Sequence, residues 1–323
     1  MSDWPKRAAV VGAGYMGTGF GQLLALHGVP CRLADADEER ATAGLETVLS
    51  LSRRFVDAGL WTAEQAEAVE RNVTAAATVE EAVADADIVL EAVTEDPAVK
   101  AAVFRRVEAA APAEAIVATN TSAIPIADLS KAFTRPERFL GVHWFNPPQW
   151  VPGVEVIPGP HTNPAVVERC HELLRRLGKR PVTVGDSAGF VGNRIQFAAF
   201  KEAVQIVADG VASPEAVDEI VRTTFGFRLP FYGPFAIADM AGLDVYAGAF
   251  AALERGLGPR FAAPEKLREL VEQGRLGNKS GGGFLGITGE EAEKMAARRD
   301  ESYAALARLL DELEAEGRGP DAH

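Results

Sequence analysis

The chain has 323 residues, of which 47% are hydrophobic and 24% charged, and its formal net charge is −13. This length allows a large buried core and favours two domains over one. The acidic balance argues against nucleic acid or an anionic membrane as a partner, and the two cysteines lack metal-site spacing, so we expect no disulfide framework, no metal site and a cytoplasmic location.

The first predicted elements are an apolar strand from Ala8, a glycine-rich turn and a helix that ends near Gly28. The turn, GAGYMG, has the G-x-G-x-x-G pattern of dinucleotide-binding folds. There the first glycine permits a tight turn, the second lets the backbone approach a pyrophosphate, and the third lets the helix pack on the strand. Glycines that serve only close packing are the alternative. We predict that a dinucleotide contacts this turn through Gly12, Gly14, Tyr15, Met16 and Gly17.

The second predicted strand, PCRLAD, ends in Asp35. In dinucleotide folds, the acid that binds the adenosine ribose 2′-hydroxyl lies at about this distance along the chain from the glycine-rich turn. A carboxylate there repels a 2′-phosphate, so the sequence predicts NAD as the cofactor. Two arginines, Arg32 and Arg40, lie nearby, so NADP is the alternative cofactor.

Polar residues follow two further predicted strands. DIVLEAV is followed by residues 94–96, TED, and AIVATN ends with Asn120 and is followed by Thr121 and Ser122. Ligands bind at the carboxyl ends of strands in open parallel sheets, so these residues indicate a site at that edge. Helix capping is the alternative role for the small hydroxyl and amide side chains.

The segment GVHWFNPPQWVPGVEV, residues 141–156, predicts two strands joined by a proline-rich turn. It contains a candidate acid–base pair, His143 and Glu155. A histidine titrates near neutrality and can take a proton from a hydroxyl, while a nearby carboxylate orients the ring and stabilises its charged form. A structural histidine at a strand end is the alternative.

A helix from residue 164 to residue 177 and the strand PVTVG complete the predicted sheet, and from Gly189 the sequence becomes almost purely helical. We therefore predict an α/β fold, with a Rossmann-type, mostly parallel sheet in residues 1–186 and an all-helical domain in residues 187–323. The segment Phe190 to Val207 is apolar over a broad face. We expect it to serve both as core and as the interface of a homodimer formed through the helical domain.

These residues together resemble the NAD-dependent L-3-hydroxyacyl-CoA dehydrogenases. The resemblance covers nearly the whole chain and includes, in order, GAGYMG, Asp35, EAVTED with Lys100, NTSA, HWFNP, VEV, GFVGNR and LGNKSGGGF. It implies an enzyme that interconverts an L-3-hydroxy group and a 3-keto group on a 3-hydroxyacyl-CoA type of substrate, with NAD as hydride carrier.

The resemblance also implies roles for individual residues. His143 would be the general base and Glu155 would orient it, while Ser122 and Asn193 would hydrogen-bond the reacting oxygen and the substrate carbonyl. For Asn193, a buried amide bonded to backbone is the alternative. Cofactor contacts would come from Glu95 and Lys100 at the nicotinamide ribose, and from Asn120 and Asn146.

The sequence departs from the family at places that bear on the substrate. NTSA has Ala123 where the family commonly has a second serine, and only Arg53 and Arg54 occupy the region that often carries lysines for the phosphates of CoA. The NPP and VP segments, GVASPE and AARRDESYAALARLL resemble the branch of lambda-crystallin and L-gulonate 3-dehydrogenase. A free 3-hydroxy acid such as L-gulonate is therefore an alternative substrate.

Two other protein classes remain as alternatives. A non-catalytic, crystallin-like structural protein could share this fold and bind NAD, although the presence of both His143 and Glu155 argues against it. A dehydrogenase of the 2-methyl-branched hydroxyacid or 6-phosphogluconate type would need a catalytic lysine on the helix after the sheet. Asn193 stands at the matching place and Lys201 lies two turns further on, which disfavours this type.

Overall fold

The computed structural model describes residues 4–319, which form one sheet followed by a helical region. The strands are Ala8–Val11 (β1), Cys31–Ala34 (β2), Val73–Ala75 (β3), Ile88–Glu91 (β4), Ile116–Thr119 (β5), Phe139–Trp144 (β6), Gly153–Pro158 (β7) and Arg180–Thr183 (β8). The helices among and after the strands, up to the start of the helical region, are Tyr15–Leu26 (α1), Glu38–Asp57 (α2), Ala63–Asn72 (α3), Val79–Val83 (α4), Pro97–Ala110 (α5), Ile126–Ser130 (α6) and Pro164–Arg176 (α7). The remaining helices are Gly192–Ala208 (α8), Pro214–Thr223 (α9), Phe225–Arg228 (α10), Pro234–Ala241 (α11), Leu243–Leu257 (α12), Glu265–Glu272 (α13) and Gly289–Ala315 (α14).

The eight strands lie in the order β3-β2-β1-β4-β5-β6-β7-β8. Every neighbouring pair is parallel except β6 and β7, which pair antiparallel. The predicted Rossmann-type, mostly parallel sheet followed by a helical region is thus confirmed. Since β1, β4, β5 and β6 run in one direction, their carboxyl ends meet at a single edge, where ligands bind in such sheets.

Apolar side chains cover both faces of the sheet. One cluster, which includes Phe20 of α1 and Leu174 of α7, packs on one face, and a second cluster, which includes Phe104 of α5, packs on the other. Strands β1 and β5 have every residue buried because helices shield them from both sides. A fully buried side chain such as Phe104 contributes roughly 1.5–3 kcal/mol to stability, so the sheet is a rigid support for the residues at its edge.

Helix α5 starts at a sequence signal that fixes its first turn. Asp96 accepts hydrogen bonds from the amides of Ala98 and Val99, at 2.8 and 3.0 Å, and Pro97 occupies the first helical position, where no amide donor is needed. Lys100 follows on the next turn, and the side chain is directed into the interior.

The chain forms two compact units, Met1–Ala199 and Phe200–His323. The division falls inside α8, whereas the change to helical character placed the boundary between residues 186 and 187. The first turn of α8 is hydrogen-bonded to the sheet, through Glu155 of β7 and Ser122, which assigns it to the first unit. The second unit has a small core of its own, formed by Ala238, Leu243, Leu267 and Leu270.

The glycine-rich segment LGNKSGGGF folds around one buried carboxylate of the second unit. Asp239 accepts hydrogen bonds from the amides of Phe284 and Leu285, at 3.0 and 2.8 Å. Gly277 and Gly283 have φ of 98° and 50°, and a Cβ at either would lie within 2.2 Å of an Asp239 atom. Glycine is required at these two positions both for the backbone conformation and for the close approach.

Among residues 4–319, no single helix is both long enough and apolar enough to cross a membrane. The bent pair α11 and α12 passes that test jointly, by length and composition alone. The apolar stretch from Ala8 to Cys31 forms β1, α1 and the start of β2, as the glycine pattern predicts.

Candidate active site

The candidate acid–base pair lies on two adjacent strands. His143 of β6 is directly opposite Glu155 of β7 in the antiparallel register, which places both side chains on one face of the sheet. The distance from His143 Nδ1 to Glu155 Oε2 is 2.7 Å, and the two residues are only 3% and 6% exposed. The proline-rich turn between the strands therefore brings residues twelve positions apart into hydrogen-bond contact.

The second oxygen of Glu155 is held by the start of α8. Oε1 accepts hydrogen bonds from the amides of Val191 and Gly192, both at 2.9 Å. Gly189 and Phe190 precede them with φ of 71° and 47°, in the left-handed region. For Phe190 this conformation costs on the order of 1 kcal/mol or more. The strained turn directs two N–H donors at the carboxylate and so fixes its orientation towards His143.

Two phenyl rings enclose His143. The ring centroid of Phe145 lies 4.7 Å from the imidazole centroid and that of Phe190 lies 5.6 Å away. Because an ionised Glu155 can only accept, its hydrogen bond needs a proton on His143 Nδ1. Nε2 is then the nitrogen left to accept a proton from a substrate, which is the arrangement that a general base requires.

Glu95 organises the loop that follows β5. Its Oε1 accepts from Thr121 Oγ1 at 2.5 Å, from the Ser122 amide at 2.8 Å and from the Ala123 amide at 3.2 Å. Partial burial alone would raise the pKa of Glu95, but the Thr121 hydroxyl, the Lys100 charge and the Ser122 amide together hold it below its usual range. Asn193 donates from Nδ2 to the Ser122 carbonyl at 3.3 Å. The structure thus brings three of the predicted site residues, Glu95, Ser122 and Asn193, into one loop cluster.

Lys100 lies in the interior, whereas we expected its side chain beside the nicotinamide ribose. The residue is 1% exposed, and Nζ lies 2.8 Å from Glu91 Oε1 and 3.2 Å from Glu95 Oε2. Burial raises the pKa of Glu91, and the charge of Lys100 opposes that rise. Glu91 is not among the site residues predicted from the sequence, although one signal marks it: it is the single acid within the otherwise apolar strand segment IVLE.

Asn120 follows β5 and Asn146 follows β6. Asn120 Oδ1 accepts the amide of Trp144 at 2.9 Å, which ties the end of β5 to the end of β6. Asn146 begins the proline-rich turn, with a cis bond to Pro147. Lys179, which is 6% exposed, donates to three carbonyls of this turn, those of Pro148, Gln149 and Val151.

The glycine turn borders a cavity of about 330 Å³ whose lining includes Gly12, Gly14, Asp35 and Thr94. Gly12 has φ of 104°, and a Cβ there would lie 2.5 Å from the Ala92 backbone, while a Cβ on Gly17 would lie 1.8 Å from Gly12 O. At Gly14 a Cβ would meet nothing within 4 Å, so this residue faces open space. The close contacts and the open face are those that a bound pyrophosphate needs.

The acid at the end of β2 is fixed at the same cavity. Asp35 Oδ2 accepts the Ala13 amide at 2.6 Å, and the carboxylate lines the cavity. Arg40 also lines it, but 71% of its side chain is exposed and it pairs loosely with Asp37 at 3.8 Å. Of the other turn residues predicted to contact cofactor, Tyr15 is 68% exposed and Met16 is partly buried. These residues fit an adenosine ribose and a pyrophosphate.

The two thiols are not placed for chemistry. Cys31 and Cys170 are unpaired, and burial raises the pKa of each to about 12. Within the described residues 4–319, no group of three or more His, Cys, Asp or Glu side chains is arranged to hold a metal ion.

Comparison with known proteins identifies the family. Residues 7–187 match the model of the 3-hydroxyacyl-CoA dehydrogenase NAD binding domain, and residues 189–286 match the model of the 3-hydroxyacyl-CoA dehydrogenase C-terminal domain. The predicted family and the predicted cofactor, NAD, are thereby confirmed. The resemblance to the lambda-crystallin branch stays a prediction.

Individual relatives agree with the domain models. The chain is 38% identical to a probable 3-hydroxybutyryl-CoA dehydrogenase of Bacillus subtilis, over 86% of this chain and 96% of that protein. It is 36% identical to a 5-formyl-3-hydroxy-2-methylpyridine 4-carboxylate 5-dehydrogenase of Mesorhizobium japonicum, over 95% and 98% of the two chains.

Among solved structures, the 3-hydroxyacyl-CoA dehydrogenase of Archaeoglobus fulgidus matches with a TM-score of 0.77 and 31% identity, over 95% of this chain and 99% of that one. This similarity extends across both the sheet and the helical region. Together, the matches show that the chain belongs to the 3-hydroxyacyl-CoA dehydrogenase family of NAD-dependent oxidoreductases, which act on a CH–OH group.

Proposed function

We propose that this enzyme interconverts an L-3-hydroxyacyl group and its 3-keto form, with His143 as general base and acid. The observation that carries the proposal is the buried contact between His143 and Glu155 at the carboxyl edge of the sheet, beside the loop of Ser122. NAD, when bound, supplies the hydride acceptor. The surrounding side chains then have to orient the hydroxyl, hold its proton and exclude water.

The geometry supports a division of roles among the residues. His143 Nε2 takes the proton of the 3-hydroxyl as hydride leaves the same carbon, and Glu155 stabilises the imidazolium that forms. The amides at the start of α8 hold the carboxylate in place. Ser122 and Asn193 hydrogen-bond the reacting oxygen and the substrate carbonyl, where charge develops.

Cofactor contacts follow from the cavity and the loops. The glycine turn binds the pyrophosphate and Asp35 the adenosine ribose, while Glu95, Asn120 and Asn146 lie at the nicotinamide end. NAD is preferred over NADP because a 2′-phosphate beside Asp35 would place two negative charges together.

Two candidate substrates differ in whether the 3-hydroxyacyl group is bound to CoA or is a free acid. A 3-hydroxyacyl-CoA is the first, in line with the relative named a probable 3-hydroxybutyryl-CoA dehydrogenase. A free hydroxy acid such as L-gulonate is the second, and one observation favours it: Arg53 lies in a surface cavity with Asp57, Glu67 and Glu70. Three acids around one arginine weaken the attraction for CoA phosphates. The relative named for a pyridine carboxylate shows a small acid handled on this scaffold.

We further propose a cytoplasmic homodimer whose interface includes the apolar face of α8. Phe197, Phe200 and Val204 are 60%, 63% and 51% exposed and lie at helical spacing on one face. A second copy of the chain would cover such a face. A purely structural, crystallin-like role is disfavoured, because the buried contact between His143 and Glu155 is the pairing that a general base requires.

The test is a measurement of turnover through the absorbance of NADH. The substrates are 3-hydroxyacyl-CoA thioesters and matched free 3-hydroxy acids. We expect activity with at least one series, and the preferred series identifies the carrier. His143→Gln should abolish turnover, whereas His161→Gln, at an exposed histidine of another turn, should not. A complete lack of turnover with both series would contradict the proposed function.

A further inference from the structure

A buried charged chain runs from the interior of β4 to the loop that carries Ser122. Glu91 is fully buried, and its Oε1 pairs with Lys100 Nζ at 2.8 Å. The same Nζ lies 3.2 Å from Glu95 Oε2 and donates to the carbonyl of Val93 at 3.2 Å. Glu95 then holds the loop through its other oxygen. Charge thus continues from a strand inside the sheet to the edge of the candidate site.

A second connection from Glu91 reaches the same loop. Thr119 donates from Oγ1 to Glu91 Oε2 at 2.5 Å and accepts the amide of Thr121 at 3.3 Å. The backbone amide of Val93 also binds Glu91 Oε1, at 2.7 Å. Both carboxylate oxygens of Glu91 are therefore bonded, and its position is fixed by β4, β5 and α5 together.

Stability alone does not account for these charges. Replacing a buried ion pair by apolar residues of similar volume is often neutral or stabilising, because desolvation of the charges offsets their attraction. Lys100, at 1% exposure, presents little surface to a ligand. Its ammonium instead reaches the site through Glu95. Of the three charged residues Glu91, Lys100 and Glu95, only Glu95 has an exposed side chain, at 41%.

We propose that Glu91 and Lys100 are positioning residues that hold Glu95, and through it the hydroxyl of Ser122, in the orientation needed for hydride transfer. This inference rests on the proposed function. Lys100 fixes one oxygen of Glu95, so that the other oxygen can bind Thr121 Oγ1 and the amides of Ser122 and Ala123 simultaneously. Without the lysine, the half-exposed Glu95 can rotate towards solvent and release the loop.

The main experiment is a cycle of variants built on Ser122→Ala. This change is made in the otherwise wild-type enzyme and in the double variant Glu91→Leu/Lys100→Met, which removes both charges together and leaves neither unpaired. We expect Ser122→Ala to lower kcat by about 10²-fold in the first background. In the double variant kcat is expected to be lower by about 10-fold or more already, and Ser122→Ala should lower it further by less than about 3-fold.

A matched control is available at an exposed ion pair. Lys131, directly after α6, pairs with Asp128 at 2.7 Å, and both side chains are more than half exposed. Lys131→Met removes a lysine charge close in sequence to the same loop, and kcat and its sensitivity to Ser122→Ala should stay as in the wild type. Thermal unfolding of each variant checks that the fold is retained.

Two outcomes would overturn the inference, and they are distinguishable. If Ser122→Ala costs as much in the double variant as in the wild type, Ser122 is positioned without Glu91 and Lys100, and the proposed function is unaffected. If Ser122→Ala has no effect in the wild type, the catalytic role of Ser122 fails, and the positioning role fails with it. Should the double variant not fold, Glu91→Gln/Lys100→Gln provides the same cycle, since it removes both charges and keeps a polar group at both positions, and the same loss of sensitivity to Ser122→Ala is expected.

Discussion

The two compact units differ in where they place apolar and charged side chains. In the first unit, strands β1, β4 and β5 are buried along their whole length, and even charged groups such as Glu91 and Lys100 lie inside. In the second unit the buried core is small, and α14 has no buried residue. The large apolar side chains that the second unit exposes are Phe200, Val204, Val211, Ile220, Phe225, Leu229, Phe231, Phe235, Val245, Leu253, Leu257, Leu285 and Leu309.

This difference separates two kinds of surface. A sheet closed on both faces holds charged and strained groups in fixed positions, which is what a site for proton and hydride transfer needs. A helical unit with many exposed apolar side chains lacks a cover of its own, and monomeric proteins rarely leave such faces exposed. We therefore expect changes at the sheet edge of the first unit to affect turnover without affecting association, and changes on the exposed faces of the second unit to do the reverse.

The largest effect is expected from the base itself. His143→Gln should lower kcat by roughly 10⁴-fold, because it removes the imidazole that contacts Glu155 and takes the proton. NADH binding, followed by fluorescence, and the mass of the particle in solution should be those of the wild type. A variant with near wild-type turnover would show that the proton leaves by another route and would refute the assignment.

Glu155→Gln should be less damaging than His143→Gln. It should lower kcat by on the order of 10²–10⁴-fold. The base remains, but the amide stabilises the imidazolium poorly, and it presents an NH₂ group either to His143 or to the amides of Val191 and Gly192. The measurement is kcat as a function of pH. A profile and rate equal to those of the wild type would show that Glu155 has only a structural role.

The same pair shows what the sequence could predict. The strand pattern and the proline-rich turn were sufficient to propose a hairpin that joins His143 and Glu155, because alternation and turn residues are local signals. The left-handed Phe190, which directs the amides of α8 at Glu155, could not be predicted. That conformation is uncommon in a residue other than glycine and is stabilised by tertiary contacts alone.

Buried polar contacts between distant segments were also missed. Gln149 donates to Gln22 at 2.7 Å across 127 positions of the chain, and Gln22 in turn donates to Ser52 at 2.8 Å. Lys179 belongs to the same group, since its three acceptors all lie in the turn after β6. Lysine and glutamine are usually exposed, and only the packing of α1, α2 and the turn shows that Gln22 and Lys179 are buried and Gln149 is partly buried.

The exposed face of α8 tests the other half of the comparison. Phe200→Ser/Val204→Ser should weaken self-association by about 100-fold, since each exposed apolar anchor at an interface contributes on the order of 1–2 kcal/mol. Analytical ultracentrifugation over a range of concentrations provides the measurement, and NADH binding should be unchanged. Leu60→Ser, at a 51% exposed leucine of the first unit, is the control. Equal association of both variants would mean that α8 is not the interface.

The smallest effect is expected at Asp35. Its carboxylate has two functions. It accepts the amides of Ala13 and Ala36, at 2.6 and 2.7 Å, and it also lines the cavity for the adenosine ribose. Asp35→Ala should therefore weaken binding of NAD and, by removing the negative charge, ease binding of NADP, so that the ratio of the two kcat/KM values falls by about 10-fold. Arg40, on the rim of the same cavity, is then free to pair with the 2′-phosphate, and Asp35→Ala/Arg40→Ala should reverse part of the gain for NADP. A ratio that does not change in either variant would mean that another residue distinguishes the two cofactors.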